Sequence, residues 1–340
     1  MADHKSRLRR VWIVVKWIQR GLTVLVLVIL AVSVPPFWRW STQHNAALLR
    51  QSHVVSTAKG DIEVAVVGEG VPILQLHGSP GGYDQPLVRH NLRPNQSAGL
   101  KAISISRPGY LRTPLASGRT HQEQADLYFA LLETLGLRHV IVQGSSGGSY
   151  SAIQFVLRHP DRAIALILYA PDLGSHRGGD TFAVRLHAQG WLIDDYSRWL
   201  LTSRLIFPFA GPLMARDLDM DDDDEREVVR TLIRSTIPAG LHSAGRRNDL
   251  EQRANPEIDR WPVERIRVPT LIVHGTRDEN ASYQRSVALS ARIPGAKLVS
   301  IEGGDHLVSF TRPDEVRRAI DGFIDDVVGR AKAGPPEASR

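Results

Sequence analysis

The chain has no cysteine among its 340 residues. That excludes disulfide staples, thiol nucleophiles and cysteine-based zinc sites. It leaves the compartment open, because exported proteins can lack cysteine too. Excess charge is also scarce once one end is set aside. The formal net charge is +6, yet Lys5, Arg7, Arg9, Arg10, Lys16 and Arg20 against Asp3 already give residues 1–20 a net of +5. The rest is nearly neutral, so no basic groove and no nucleic-acid partner are expected. No repeat of solenoid or propeller period is present. The 28 glycines and 20 prolines are scattered rather than pooled in a low-complexity tract.

What the N-terminus does have is an uncharged run, Leu22 to Val34, extended by Pro35-Pro36-Phe37-Trp38. A helix of about 17 residues at roughly 1.5 Å each reaches about 25 Å, a little short of a bilayer core. Trp17, Trp38 and Trp40 stand where interfacial aromatics belong. The basic flank precedes the run. Residues 1–20 are therefore expected in the cytoplasm, 21–40 in the membrane as an anchor, and everything after a linker at 41–52 outside. Cleavage near Ala31-Val32-Ser33, giving a secreted protein, is the alternative.

Beyond the linker, short β-rich segments alternate with helical ones. Val54 to Thr57 and Ile62 to Val66 suit an antiparallel pair around Lys59-Gly60-Asp61. Val71 to Leu76, Lys101 to Ser106, His139 to Gln143, Ala163 to Ala170, Pro269 to His274 and Lys297 to Ile301 suit buried strands. Thr120 to Leu135, Gly147 to His159 and Pro313 to Val328 carry helical spacing. This rhythm implies an α/β fold with a doubly wound, mostly parallel sheet. Residues 175–265 contain no convincing strand and several helical stretches. They are expected to form a helical cap inserted into a core of 53–174 and 266–329, with a polar, disordered tail at 330–340.

Three short motifs at strand ends carry the chemistry. Gly144-Ser145-Ser146-Gly147-Gly148 follows a strand and precedes a helix, the setting in which G-x-S-x-G lifts a serine hydroxyl clear of the sheet. Ser146 is the expected nucleophile. His306, in Glu302-Gly303-Gly304-Asp305-His306, lies on a loop after the last strand and is the expected general base, without which a hydroxyl is a poor nucleophile. Asp278, in His274-Gly275-Thr276-Arg277-Asp278, would accept the other imidazole N–H. Asp172, also after a strand, is the alternative acid. His77-Gly78-Ser79-Pro80-Gly81-Gly82 forms a glycine-rich turn, and the backbone N–H groups of Ser79 and Gly147 are the expected oxyanion donors. His77 itself is expected to hold the loop.

These motifs, with Ser106-Arg107-Pro108-Gly109-Tyr110-Leu111-Arg112-Thr113, resemble the α/β-hydrolase superfamily across roughly residues 54–328. The His-Gly-x-Pro-Gly turn and the Arg-Pro-Gly-Tyr segment resemble its capped branch, which contains proline iminopeptidases, small-ester hydrolases and C–C hydrolases. The resemblance implies a Ser-His-Asp triad, a small-molecule acyl substrate, no metal and no organic cofactor. It argues against dehalogenases and epoxide hydrolases, whose nucleophile is an aspartate. Carboxylic ester hydrolysis is expected first, iminopeptidase-type amide cleavage as the alternative, and C–C hydrolysis behind both. In an iminopeptidase, cap carboxylates hold the substrate amine, for which Asp249 and Glu251 are candidates.

Two features invite other readings. The acidic run Asp217 to Glu225 fails the EF-hand template, with Asp222 at the glycine position and Val228 at the closing glutamate. It suits the N-terminus of a helix from Glu227 to Ser235. The aromatic stripe Trp191, Tyr196, Trp199, Phe207 and Phe209 is expected to pack the cap, in part lining an apolar pocket.

Overall fold

The computed structural model describes residues 2–92, 99–174, 192–215 and 218–333. Two compact units divide the chain at Leu49–Arg50. The first is a single helix, α1 (Ala2–Arg50). It is long and apolar enough to cross a membrane, a property that an N-terminal signal sequence shares. Trp12, Leu22, Leu27 and Val32 are exposed along it, and a helix apolar all round suits lipid. The linker expected at 41–52 is helical as far as Arg50, and Pro35 and Pro36 do not end the helix. Gln43, Ala46, Ala47, Leu48, Leu49 and Arg50 are strong helix formers, which explains the continuation.

The second unit carries an eight-stranded sheet. Strands β1 (His53–Thr57) and β2 (Gly60–Val67) form an antiparallel hairpin. Then come β3 (Val71–Leu76), α2 (Asp84–Leu92), β4 (Leu100–Ile105), α3 (His121–Thr134) and β5 (Val140–Ser145). After α4 (Ser149–Arg158) and β6 (Ala163–Tyr169) the chain enters the cap. Spatial order is β1-β2-β4-β3-β5-β6 and then two late strands, with β3 to β6 parallel throughout.

Among the described residues the cap holds α5 (Leu192–Leu201), α6 (Phe207–Met214), α7 (Asp223–Arg234) and α8 (Ala239–Arg253), with no strand. Residues 175–191 and 216–217, with Trp191 and Asp217 among them, lie outside the described residues. Helix α7 starts at Asp223, four residues before the expected Glu227. Asp222 caps it by accepting the amides of Asp224 and Glu225, so the acidic run serves the helix end. Of the stripe, Phe207 is buried with Leu218, Val229 and Ile233, whereas Phe209 is 77% exposed. The core resumes with β7 (Thr270–Gly275), α9 (Tyr283–Arg292), β8 (Lys297–Ile301), α10 (Val308–Thr311) and α11 (Pro313–Ala333). Helix α11 extends into the segment read as a polar tail, of which 334–340 lies outside the described residues.

Alternate residues of a strand point to opposite faces. Leu74, Leu76, Val140, Val142, Leu166 and Leu168 join Leu127, Leu131, Ile153 and Phe155 of α3 and α4 in one core cluster. Ile73, Gln143 and Tyr169 face α11 on the other side. The first crossover runs from β3 to β4 and the next strand, β5, pairs with the opposite edge of β3. That reversal opens a crevice at the carboxyl ends of β3 and β5, where such sheets bind ligands.

Candidate active site

Ser146 sits at the end of β5 with φ +45°, a left-handed backbone that costs a non-glycine residue of order 1–3 kcal/mol. Its small neighbours are a steric requirement. A Cβ on Gly148 would lie 2.5 Å from the Leu76 carbonyl oxygen and 2.6 Å from that of His77. One on Gly144 would lie 2.8 Å from Ala152 Cβ. The turn can pass between β3 and α4 only without those side chains.

His306, on the loop between β8 and α10, brings Nε2 to 3.1 Å from Ser146 Oγ and Nδ1 to 2.7 Å from Asp278 Oδ2. The carboxylate can only accept, so Nδ1 carries the proton and Nε2 is free to accept the Ser146 hydroxyl. Asp278 is fully enclosed. Its Oδ1 accepts the amides of Asn280 and Ala281, both at 2.8 Å, and Oδ2 also accepts His274 Nε2–H at 2.9 Å. Burial alone would raise its pKa, but the hydrogen bonds from His274 and His306 hold it well below the usual carboxylate range. For His306 burial works against protonation, and the hydrogen bond and charge of Asp278 outweigh it, so its pKa lies above 6.5. Leu307, the next residue, packs on the cap cluster around Phe207, which braces this loop from above.

His274 also belongs to the site, although in the sequence it only stands near the end of the strand β7. Its Nδ1 accepts from Ser286 Oγ at 2.6 Å, which fixes Nε2–H on Asp278. Asp172, the alternative acid, belongs to a different pair: its Oδ2 meets Arg253 Nη1 at 3.1 Å. Its backbone carbonyl accepts the Tyr150 hydroxyl.

The expected oxyanion turn stands beside Ser146. An ideal Cβ on Gly147 would be 3.1 Å from Ser79 Cβ, and one on Gly78 would be 3.5 Å from Ser146 Cβ. His77 holds the turn, accepting the Arg107 amide on Nε2 at 2.9 Å and contacting the Gly78 carbonyl through Nδ1 at 2.6 Å. Beneath lies a buried network. Arg107 forks onto Asp249 through Nη1 at 2.9 Å and Nη2 at 2.7 Å. Tyr110 donates to the same carboxylate at 2.5 Å and lies 2.8 Å from Ser79 Oγ. Arg246 Nη1 donates to Ser79 Oγ at 2.8 Å and to its carbonyl at 3.2 Å. Burial opposes the Asp249 charge, but Arg107 holds its pKa far below the ordinary range. Nothing in the sequence linked Arg107 to Asp249 across 142 positions; the Arg-Pro-Gly-Tyr motif was the one visible trace.

A model of the alpha/beta hydrolase family matches residues 74–319. The chain belongs to that family. An alpha/beta hydrolase fold protein from Nakamurella multipartita is similar at 32% identity and a TM-score of 0.68, over 80% of this chain and 98% of that one. The 2-hydroxymuconate semialdehyde hydrolase of Pseudomonas putida is 24% identical across 76% of this hydrolase and 88% of its own length. A 2-hydroxy-6-oxononadienedioate/2-hydroxy-6-oxononatrienedioate hydrolase of Dechloromonas aromatica is 24% identical across 80% and 95%. The hydrolase also shares its fold with a thermophilic esterase from Thermogutta terrifontis, at 23% identity and a TM-score of 0.57. Of the two cap carboxylates suggested for holding an amine, Asp249 is neutralised by Arg107. Glu251 is exposed and paired with Arg119 at 3.0 Å.

Proposed function

We propose that this protein is a serine hydrolase cleaving an ester or related acyl bond through Ser146, His306 and Asp278. The observation that carries the reading is the unbroken hydrogen-bond series from Ser146 Oγ through His306 to Asp278. In this reading Ser146 Oγ attacks the acyl carbon and gives its proton to His306 Nε2. Asp278 stabilises the imidazolium, and the amides of Ser79 and Gly147 receive the oxyanion. His306 then protonates the leaving group, and water releases the acyl group from Ser146.

The relatives favour a second reading, C–C hydrolysis next to a carbonyl, because several of them are named for it. The same residues serve both bonds, with a carbon rather than an oxygen leaving. Amide cleavage of the iminopeptidase type has less support, since Asp249 has no charge to spare. The N-terminal helix is read as an uncleaved single-pass anchor with the hydrolase domain outside the cytoplasm, secretion after cleavage being the alternative.

A fluorophosphonate probe on the full chain in detergent micelles tests the nucleophile. Wild type is expected to label and Ser146→Ala is not; an unlabelled wild type, or equal labelling of both, overturns the reading. Turnover of p-nitrophenyl butyrate against a 2-hydroxy-6-oxo-dienoate decides between the bonds.

A further inference from the structure

The cavity at Ser146 is also walled by His121, Arg246, Asp172, Asp249 and Arg253. Its ionic groups can be matched one by one. Asp249 is forked by Arg107 and Asp172 is met by Arg253. Arg246 makes no ion pair among the described residues, so of the cavity's described charges it is the one without a salt-bridge partner. The Arg246 Nη1 is committed to Ser79, while its Nε is buried with no hydrogen-bond partner among the described residues. Native proteins rarely leave such a donor unmet without a use for it.

A second side chain lining the cavity is in the same state. His121 is 3% exposed, yet neither ring nitrogen has a partner among the described residues. Its ring is held in place by stacking on Tyr150, with centroids 4.9 Å apart and planes 10° apart, and by the edge of Trp261. Burial lowers its pKa to about 4, so near neutrality the imidazole is uncharged and still has one N–H to give. A cationic N–H and a neutral N–H in the lining of one cavity, both without a partner among the described residues, match a carboxylate.

We propose that His121 and Arg246 form a carboxylate subsite in the cavity of Ser146, and that the molecules hydrolysed there carry an acid group. The second half rests on Ser146 being the nucleophile; the subsite itself does not. Arg246 supplies the charge and its Nε–H, and His121 supplies a second, neutral donor. The feature is indifferent to whether an ester or a C–C bond is broken.

Calorimetric titration of the full chain in detergent with succinate, and with uncharged succinamide as control, tests it. Succinate is expected to bind and succinamide is not. His121→Phe, which keeps the ring stacked on Tyr150, and Arg246→Met are each expected to weaken succinate at least about tenfold. Arg246→Lys, which restores charge without the fork, is expected to recover part of that loss. Equal binding of succinate and succinamide, or unchanged affinity in both variants, overturns the subsite. Fluorophosphonate labelling of the same samples separates the two ideas. Succinate binding without labelling leaves the subsite standing and removes the nucleophile, and labelling without succinate binding does the reverse.

Discussion

At the scale of single residues, the two aspartates near the site differ in what they touch. Asp278 holds His306 and is itself held by two amides and His274. Asp172 is tied to Arg253. Asp278→Asn is therefore expected to lower kcat by roughly 10³–10⁴-fold, because the amide presents the wrong partner to Nδ1. Asp172→Asn is expected to lower it by less than about tenfold, its charge being only one of several that act on His306. Steady-state rates on any turned-over acyl substrate check both. The raised pKa of His306 has a sign that a pH profile can read. The base works when neutral, so kcat/KM should rise with pH along a limb whose apparent pKa lies above 6.5. Whatever activity Asp278→Asn retains should show that limb moved to lower pH.

At the scale of elements, the glycines of the elbow and of the last helix make opposite predictions. In Gly148→Ala the new Cβ meets two backbone carbonyls that cannot retreat, so a loss of about 2–3 kcal/mol is expected. Gly322, inside α11, has nothing within 4 Å of its would-be Cβ, and Gly322→Ala should gain about 0.5–1 kcal/mol. Denaturant midpoints of the full chain in one detergent compare them. This is also the scale at which the sequence was most readable. Strands such as Ala163 to Ala170 are apolar along their whole length because helices cover both faces, and Ser146, Asp278 and His306 stand at strand ends within recognisable motifs. What could not be read was contact between distant segments. His274 gives no local sign that it donates to Asp278, and Arg107 and Asp249 become partners only once the cap is in place. The linker expected at 41–52 misled in the other direction: strong helix formers carry the N-terminal helix on to Arg50.

For the whole molecule, the anchor reading predicts that the chain sediments with membranes, resists carbonate extraction and keeps the mass of the full sequence. A soluble product lacking about the first 33 residues would instead mark cleavage of an h-region of this kind. The cap has its own consequence. Helix α8 is bonded to the Arg-Pro-Gly-Tyr loop through Gly245 N to Gly109 O and Leu111 N to Leu241 O, both 2.8 Å. The backbones are so close that a Cβ on Gly109 would lie 2.6 Å from Gly245 N. Together with the Arg107–Asp249 fork, this makes α8 part of the foundation although the chain order counts it with the roof. Anyone exchanging caps between relatives to redirect specificity should cut ahead of Pro238 and leave α8 with its own core, because a graft that carries α8 along would bring half of a lock without its key.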